Sequence, residues 1–440
     1  MRFAKSWRPI PLLAATVACI LALGACSAGD LGSSDEGGGT TLSFLVDNAE
    51  GSVKPAEGLA AAFHAKNPDI TVEVQTRPGG AEGDNVVKTR LSTGEMTDVF
   101  LYNSGSLFQA LNPQQNLTPL TGESWANQLE DIFRPTVSVG NELYGAPITS
   151  STGGGILYNR KVYEELGLQV PTTWAEFMAN NAKIKAAGID PVIGTYADTW
   201  TSQLFVLADF HNIAAADPGW AQKYTAGQVK YAQEPAVKGF QRLEEVHKAG
   251  FQNKDYRSMK FEKGVSELAA GKGAHYPILS GVVGNLAASD PERINDIGFF
   301  GQPGDDAAKN GATIWMPAGL YIPKSTEGAQ LEAAKKFAAF VASTEGCEAQ
   351  TKAFPPSGPY MVTACELPAD APQVVKDLVA YVDAGKVTTA LEFQSPIKGP
   401  ALEQITVEVG SGLRSAADGA ALYDKDVKKQ AQQLGLPGWE

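Results

Sequence analysis

Aromatic and polar side chains occur together at the ends of several predicted strands of this 440-residue chain. An aromatic ring offers a flat apolar face, and neighbouring carboxylates, amides and hydroxyls offer hydrogen-bond donors and acceptors. This combination suits a ligand that presents both hydroxyl groups and patches of C–H, as a saccharide does. The candidate ligand-binding residues are Asp47, Asn48, Tyr102, Asn103, Ser104, Tyr196, Asp198, Trp200, Tyr276 and Ser280, with Trp315 in a further apolar segment.

Each candidate also has an ordinary structural explanation. Asp47 and Asn48 could cap the helix that follows them, and Tyr102 could be a half-buried residue at a strand end. Trp200 has no apolar periodicity around it that would require a core position. Trp174, in contrast, lies in an amphipathic helix that begins with a capping box, so it is expected to pack in the core.

Residue patterns typical of catalysis or metal binding are absent from the sequence. It contains no Gly-x-Ser-x-Gly and no His-Glu-x-x-His segment, and its four histidines lack the spacing of metal ligands. Neighbouring acids carry no information in a chain that has 49 acidic residues. We therefore predict no enzyme activity, no catalytic residues, no cofactor and no metal site. A secreted glycoside hydrolase is the less favoured alternative.

The charge and length of the chain limit its partners and its organisation. With 36 basic and 49 acidic residues, the formal net charge is −13. An acidic body does not attract nucleic acid, so nucleic acid is not an expected partner. The chain is also longer than a single core usually supports, and two domains are expected.

The N-terminal segment has the pattern of a bacterial export signal. Basic residues within positions 2–8 precede an apolar stretch over 10–23 that is too short to span a bilayer as a lone helix. Leu23-Gly24-Ala25-Cys26 then resembles a lipobox, in which the cysteine thiol is acylated. The prediction is a signal peptide over 1–25, a lipid anchor at Cys26, and a flexible linker over 26–40 that holds the exported protein at the cell membrane.

Two cysteines remain in the exported body, Cys347 and Cys365. They are expected to pair, because a disulfide that closes a loop of this size in an exported protein stabilises it by roughly 3 kcal/mol. Two free thiols remain the alternative, since spacing alone does not show that the Cβ atoms meet.

The order of predicted elements indicates two α/β lobes. "TLSFLV" at 41–46 begins a strand, helix, strand, helix, strand series that ends with "TDVFLYN". Such a lobe binds ligands at the carboxyl ends of its strands, where Asp47 and Tyr102 lie. A second α/β lobe is predicted over roughly residues 150–310.

A run of glycines in "PITSSTGGGILYNRKVY", residues 147–163, could form a phosphate-binding loop or a crossing between lobes. A phosphate loop needs its glycines between a strand and a helix, so that backbone N–H groups at the start of the helix face the anion. Here the glycines precede the strand "GILYN", and no Gly-Lys-Ser or Gly-Lys-Thr follows. The sequence therefore favours a crossing that leads into a strand.

Four stretches together resemble the extracellular solute-binding proteins of carbohydrate ATP-binding-cassette (ABC) importers, the maltose-binding-protein-like group. They are the lipobox, "LYGAPITSSTGGGILYNRKVYEELGLQVPTTWAEF", "SELAAGKGAHYPILS" and "IWMPAGLYIPKSTEGAQLEAAKKFAAFVAS". The resemblance implies a two-lobed α/β, type II-like periplasmic-binding-protein fold that closes over a sugar. It places the N-lobe in 41–147 and 318–353, the C-lobe in 148–310 and 359–440, and the hinge crossings in 145–151, 311–319 and 354–358.

The resemblance also implies the function and the partners. The expected protein is a monomeric receptor that captures a mono- or oligosaccharide between its lobes and delivers it to the permease subunits of an ABC importer. Glu82 in a polar loop and Ser151 at the first crossing join the candidate ligand residues. Phe393 and Glu403 lie where the family supplies the last wall of the cleft. That segment departs from the aromatic-rich pattern of maltodextrin binders, so a long glucan is not expected.

Binding of a glycerophosphodiester or a peptide on the same fold stays open as an alternative. A phosphodiester would require a cationic side chain near the cleft. Arg77 and Arg160 are the candidates for that role.

Overall fold

The computed structural model describes residues 39–440, so the predicted signal peptide, Cys26 and nearly all of the linker lie outside the described residues. The described strands are β1 Thr40–Asp47, β2 Ile70–Arg77, β3 Val99–Tyr102, β4 Ser138–Val139, β5 Glu142–Leu143, β6 Gly145–Ile148, β7 Thr152–Asn159, β8 Asp190–Val192, β9 Gly273–Leu279, β10 Ile297–Gly301, β11 Ala312–Trp315, β12 Ala318–Tyr321 and β13 Val387–Thr389.

Helices cover both lobes around these strands. They are α1 Glu50–Lys66, α2 Gly80–Thr93, α3 Ser106–Gln109, α4 Pro113–Asn116, α5 Arg160–Glu165, α6 Trp174–Ala186, α7 Leu204–Leu207, α8 Phe210–Ala216, α9 Trp220–Thr225, α10 Val237–Lys248, α11 Phe261–Ala269, α12 Val283–Ser289, α13 Gly328–Val341, α14 Thr344–Ala353, α15 Gln373–Asp383, α16 Leu402–Gly410 and α17 Ala416–Gln433. Within residues 39–440, none of them combines the length and apolarity needed to cross a bilayer.

The N-lobe is built on a five-stranded sheet of order β2-β1-β3-β12-β6. β1 pairs in parallel with β2 and β3, and the connecting helices α1 and α2 give the predicted strand, helix, strand, helix, strand series. β1 lies between β2 and β3 and buries Phe44, which meets Phe337 of α13 edge-on at 5.7 Å between ring centroids. The N-lobe core therefore joins residues from both ends of the chain.

The C-lobe is built on a six-stranded sheet of order β13-β11-β7-β9-β8, with β10 also paired to β7. The run Gly153-Gly154-Gly155 lies inside β7, hydrogen-bonded in the sheet rather than in a loop. A Cβ at Gly154 would overlap the indole of Trp315, so glycine here lets that ring lie directly on the strand. The backbone is engaged in the sheet, and a phosphate-binding loop is excluded.

Helix α6 shows how local sequence signals set the C-lobe helices. Thr173 and Glu176 form the predicted capping box, in which each side chain accepts from the other residue's backbone N–H. Hydrogen bonds from the backbone and side chain of Thr172 lower the pKa of the Glu176 carboxyl. Trp174, the next residue, is buried and donates through Nε1 to Glu245 at 2.6 Å, as expected for a core position.

Three segments connect the lobes. Residues 149–151 join β6 to β7, and residues 316–317 join β11 to β12. The third connection differs from the expected 354–358 crossing, because the chain returns to the N-lobe after that segment: Tyr360, Met361 and Val362 belong to the N-lobe core.

The chain leaves the N-lobe for good near Leu367, which packs against the cores of both lobes. The bonded sulfur atoms of Cys347 and Cys365 tie this returning segment to α14 of the N-lobe. The C-lobe portion expected from residue 359 therefore starts several residues later, near 371, where Ala371 is buried in the C-lobe.

Candidate functional site

The ligand-facing edge of the N-lobe sheet is formed by the carboxyl ends of its parallel strands. Asp47 ends β1 and lies in register with Arg77, the last residue of β2. Tyr102 ends β3 on the other side of β1 and pairs with Gly319 at the start of β12. Because β12 enters from the C-lobe, this edge faces the gap between the lobes.

The C-lobe presents a matching edge. Thr152 opens β7 next to Trp315, which closes β11, and Leu279 closes β9 on the other side of β7. Thr389, at the end of β13, lies beside Ile314. The two crossings 149–151 and 316–317 leave from this edge, so it lies opposite the N-lobe edge.

A cavity between the two edges is lined by both lobes and by the hinge. Gly51 at the start of α1 belongs to the N-lobe, and Gly281 after β9 belongs to the C-lobe. The hinge supplies hydroxyl groups to this interlobe cavity, from Thr149, Ser150, Thr152 and Ser357. The sequence predicts a hinge crossing here and does not predict these four residues as ligand-facing. The run of hydroxyl side chains in "PITSST" is the signal that could have identified them as lining residues.

The hydroxyl groups of the hinge hold one another in place. Ser150 Oγ and Thr152 Oγ1 lie 3.2 and 3.3 Å from Ser357 Oγ, and the Ser357 backbone N–H donates to Ser150 Oγ at 2.8 Å. Thr149 has a φ of 70°, which is costly for a β-branched residue. Its N–H donates to Gln350 Oε1 at 2.6 Å, which stabilises this conformation.

Phe354 was not among the predicted residues, and it contacts both lobes. Its ring lies where a Cβ at Gly51 of α1 would be in van der Waals contact with it, and it fills the space next to Gly284 on α12, where a Cβ would overlap it. It also lines the interlobe cavity. Because the ring lies between α1 of the N-lobe and α12 of the C-lobe, a movement of one helix relative to the other would change its contacts.

The predicted residues at the end of β1 differ in their contacts and exposure. The Asp47 carboxylate is engaged just before α1, where it accepts from the Ala49 N–H at 3.0 Å and the Ser52 hydroxyl at 2.8 Å, but the N-cap residue is Ala49 and no side chain caps this helix. Asn48 is exposed at the edge next to it. Asp47 is therefore held by protein partners next to α1, but the expected cap by Asp47 or Asn48 does not form.

Tyr102, Asn103 and Ser104 differ from one another in their surroundings. Tyr102 is fully buried, at 0% exposure, so it is not the half-buried residue of the structural alternative, and its ring has no face open to a ligand. Asn103 is exposed, and the buried Ser104 donates to the carbonyl of Pro317 at 2.7 Å, which links β3 to the second crossing. Glu82 is exposed in the first turn of α2, beside the same edge.

Tyr196, Asp198 and Trp200 do not end a strand, since β8 stops at Val192. Tyr196 is buried and its hydroxyl accepts from Gln252 at 2.9 Å. Asp198 accepts the first N–H of α11, from Phe261, at 2.7 Å. Trp200 is half-buried against the ring of Phe261, with centroids 5.3 Å apart.

Tyr276, Ser280 and Ser151 are tied to protein partners. Tyr276 lies in the middle of β9, buried, with its hydroxyl 2.7 Å from Thr195 Oγ1. Ser280 accepts from the Gly153 N–H and donates to the Ser357 carbonyl, and Ser151 donates to the Pro359 carbonyl at 2.8 Å. These serines hold the hinge segments together, a role that sequence alone did not assign.

Trp315 is the predicted aromatic residue with the best position for a ligand platform. Its indole lies over Gly154 at the C-lobe edge and is half-buried. It lines a pocket together with Leu391, Glu392 and Lys398 from the segment after β13. One wall of this pocket is therefore aromatic, and the pocket also has a negative side chain, Glu392, and a positive one, Lys398.

Phe393 and Glu403 were expected to close the cleft, and they differ. The ring of Phe393 and the carbonyl of Glu392 lie against Gly105 of the N-lobe, which has a φ of 72° and no room for a Cβ. The two lobes therefore meet at this point. Glu403 accepts from the Thr199 hydroxyl at 2.7 Å, inside the C-lobe.

The cationic candidates are separated by the fold. Arg77 lies at the N-lobe edge, whereas Arg160 begins α5 at the far end of β7 and donates to the Asn295 carbonyl. Among residues 39–440, no group of three or more His, Cys, Asp or Glu side chains is arranged to hold a metal ion.

Comparisons with known proteins agree with this geometry. The family described as bacterial extracellular solute-binding protein matches residues 48–346. The multiple sugar-binding protein of Streptococcus mutans is 25% identical over 65% of this chain and 67% of its own length. The sn-glycerol-3-phosphate-binding periplasmic protein UgpB of Shigella flexneri is 27% identical in a match that covers 51% of this chain and 54% of that relative's length. The chain therefore spans about half the length of this relative.

A solved structure, the solute-binding protein RafE in complex with raffinose, superposes with a TM-score of 0.74 at 19% identity. The superposition covers 90% of this chain and 99% of that protein, so the likeness shows the fold. The predicted two-lobed α/β fold is confirmed. The matched family and the curated relative are described as binding proteins and not as enzymes, in agreement with the prediction of no enzyme activity.

Proposed function

The chain belongs to the bacterial extracellular solute-binding protein family, and from this premise we propose that it is the lipid-anchored receptor of an ABC sugar importer. It captures a mono- or oligosaccharide between its lobes and presents the closed form to membrane permease subunits as a monomer. Two relatives are named for binding multiple sugars and sn-glycerol 3-phosphate, so saccharides and glycerol phosphates are the ligand classes to compare.

The observation that carries this proposal is the hydroxyl-lined interlobe cavity, together with the half-buried indole of Trp315, which lines a separate C-lobe pocket and is paired in register with Thr152 of the cavity. Sugar hydroxyls need paired donors and acceptors, and the C–H faces of a pyranose need an apolar surface. The hinge supplies the hydroxyl groups, and Trp315 at the end of β11 supplies the apolar surface. A peptide would need a row of backbone partners or apolar pockets, which favours the saccharide.

The two-lobed arrangement explains how binding is reported to the importer. A ligand shifts the population toward the closed form only if it binds that form more tightly, so it must contact both lobes. The interlobe cavity meets this condition because Gly51 and Gly281 line it from opposite lobes.

A thermal-shift screen tests the proposed ligand class. Purified protein without the signal peptide is mixed with neutral mono- and oligosaccharides, sugar acids, glycerophosphodiesters and short peptides. A ligand at about 100 times its Kd adds roughly 2.7 kcal/mol of stability, so a saccharide should raise the Tm by several degrees. Peptides as the only active compounds would contradict the proposal, and release of reducing ends on incubation would indicate an enzyme instead.

Membrane attachment is predicted to depend on Cys26. Cys26→Ala should move the exported protein from the membrane fraction to the medium or periplasm, because the thiol that carries the lipid is lost. Cys19→Ala is the matched control, since it removes a cysteine from the same segment and leaves the lipobox intact. Immunoblotting of detergent-free fractions gives the readout, and membrane retention of Cys26→Ala equal to that of the control would contradict the anchor. Ligand affinity should be unchanged in both variants.

A further inference from the structure

Gln350, near the end of α14, is a buried amide at the hinge that the sequence did not predict as a ligand-binding residue. It is 3% exposed, and it lines the interlobe cavity. Its Oε1 accepts the Thr149 N–H at 2.6 Å. This contact fixes the orientation of the amide, because only the oxygen of a glutamine side chain can accept from a backbone N–H. The two N–H donors on Nε2 are therefore the groups that remain to be satisfied.

The Nε2 donors of Gln350 have no acceptor in the protein. Among residues 39–440, Gln350 makes one side-chain hydrogen bond, and it is the one through Oε1. Protein atoms do not seal Nε2 in the way that they seal the unpartnered Nδ2 of Asn181. The space that Gln350 lines is the interlobe cavity. Because a buried donor left without an acceptor is costly, a ligand oxygen in this cavity gains a hydrogen bond here.

The lining of the interlobe cavity indicates the charge of that ligand oxygen. None of the described side chains that line the cavity belongs to Asp, Glu, Lys, Arg or His. A carboxylate or phosphate would enter it without a countercharge, which is costly in a partly dehydrated space. A sugar hydroxyl carries no charge and pairs with an amide donor at no such cost. The lining therefore favours a neutral ligand.

The surroundings of Gln350 connect the amide to the hinge and to an aromatic ring. Thr149 belongs to the first crossing and holds a φ of 70°, so the orientation of the amide depends on the conformation of the hinge. Phe354 follows four residues later and lines the same cavity. An amide donor and an aromatic ring therefore face one space, which is the combination that a saccharide requires.

We propose that Gln350 is a ligand-binding residue, whose Nε2 donates a hydrogen bond to a hydroxyl oxygen of a neutral saccharide. This inference rests on the proposed function and adds to it a specific donor and a preference for uncharged sugars.

Calorimetric titration with the best neutral saccharide from the thermal-shift screen tests the inference. Gln350→Met removes the donor and should weaken binding by about tenfold. Gln350→Glu keeps an acceptor for the Thr149 N–H but replaces the donor with a charge in an uncharged cavity, so it should weaken binding by at least as much. Gln330→Glu is the matched control, because it makes the same substitution at an exposed position of α13 in the same lobe. Its affinity should be unchanged.

Monodeoxy analogues of the same sugar separate a direct contact from support of the hinge. The analogue that lacks the contacted hydroxyl should bind the unmodified protein about tenfold more weakly than the parent sugar does. Gln350→Met should bind that analogue and the parent sugar equally, because the hydrogen bond is already absent. Gln350→Glu provides the same comparison if Gln350→Met folds poorly, since it retains the acceptor for Thr149.

Two results would overturn the inference and leave sugar binding intact. One is an affinity of Gln350→Glu equal to that of the unmodified protein, which would limit Gln350 to holding the Thr149 N–H. The other is an additive loss for every analogue in both variants. Binding of glycerol 3-phosphate or a peptide with no saccharide bound would instead overturn the proposed function together with the inference.

Discussion

Replacing Arg242 with methionine is expected to lower the free energy of unfolding by about 3–5 kcal/mol. Arg242 on α10 pairs with Asp209, and the two side chains are 4% and 1% exposed. Asn212 and Gln302 also donate to the Asp209 carboxylate, at 2.8 and 3.1 Å. Without the guanidinium, the carboxylate stays buried with two amide donors and no cation, which is the costly state.

Urea denaturation with linear extrapolation measures this loss, and Arg293→Met is the matched control. Arg293 is exposed and pairs with Asp290 three residues away, so its removal should cost less than about 0.5 kcal/mol. Adding Asp209→Asn to Arg242→Met should restore part of the loss, because the uncompensated charge is gone while an oxygen still accepts from Asn212. A loss in Arg242→Met no larger than in Arg293→Met would show that the pair contributes nothing.

The elements that carry their own local signals were predictable from sequence. The capping box at Thr173 placed the start of α6, and alternation of apolar and polar residues in "ITVEVQT" placed β2. Such signals depend on residues within a few positions of one another, so they survive without knowledge of the fold. The parallel N-lobe series and its ligand-facing edge follow from them.

Strand ends that depend on distant partners were not predictable in the same way. Tyr276 was expected at a strand end, but pairing with β7 extends β9 to Leu279 and buries the tyrosine in mid-strand. Tyr196 was expected to end β8, which stops at Val192 after pairing with only a short part of β9. In both cases, the length of the strand is set by a neighbour far away in sequence.

The third lobe connection illustrates the same limit. Pro355-Pro356 in "FPPSG" correctly indicates a break between elements near the hinge. The return of the chain into the N-lobe core after that break depends on contacts of Met361 with the loop at Glu130, whose N–H donates to the Met361 carbonyl at 3.0 Å. Contacts between residues so far apart in the sequence leave no periodic pattern from which they could be predicted.

The unpaired state of Arg77 also required the structure. In the sequence it is one basic residue at the end of an alternating strand, with Glu82 and Asp84 close behind as apparent partners. Only the fold shows that Glu82 is exposed and that no ion pair forms to the guanidinium among the described residues. Acidic and basic residues that lie close together in the sequence therefore do not necessarily form an ion pair in the fold.

Truncation of Trp315 to alanine is expected to weaken saccharide binding by about 30-fold, or roughly 2 kcal/mol. The indole lies on Gly154 with no Cβ beneath it and lines the pocket at the C-lobe edge, so the ring is held flat and a sugar face can stack on it. Calorimetric titration with the best saccharide from the thermal-shift screen measures the loss. The Trp315→Ala protein should keep its Tm within a few degrees, because the ring is only half-buried.

Trp174→Ala is the control that separates a ligand platform from a core residue. Trp174 is buried, packs in a tilted contact against Phe177 with ring centroids 5.0 Å apart, and donates to Glu245, so its loss should lower the Tm and leave the Kd for the sugar unchanged. The two variants therefore exchange their effects: one changes the affinity and the other changes the stability. If Trp315→Ala instead binds the sugar as tightly as the unmodified protein does, stacking on this ring is ruled out. The hydroxyl groups of the hinge would then have to account for the affinity, because Trp200 is already packed against Phe261.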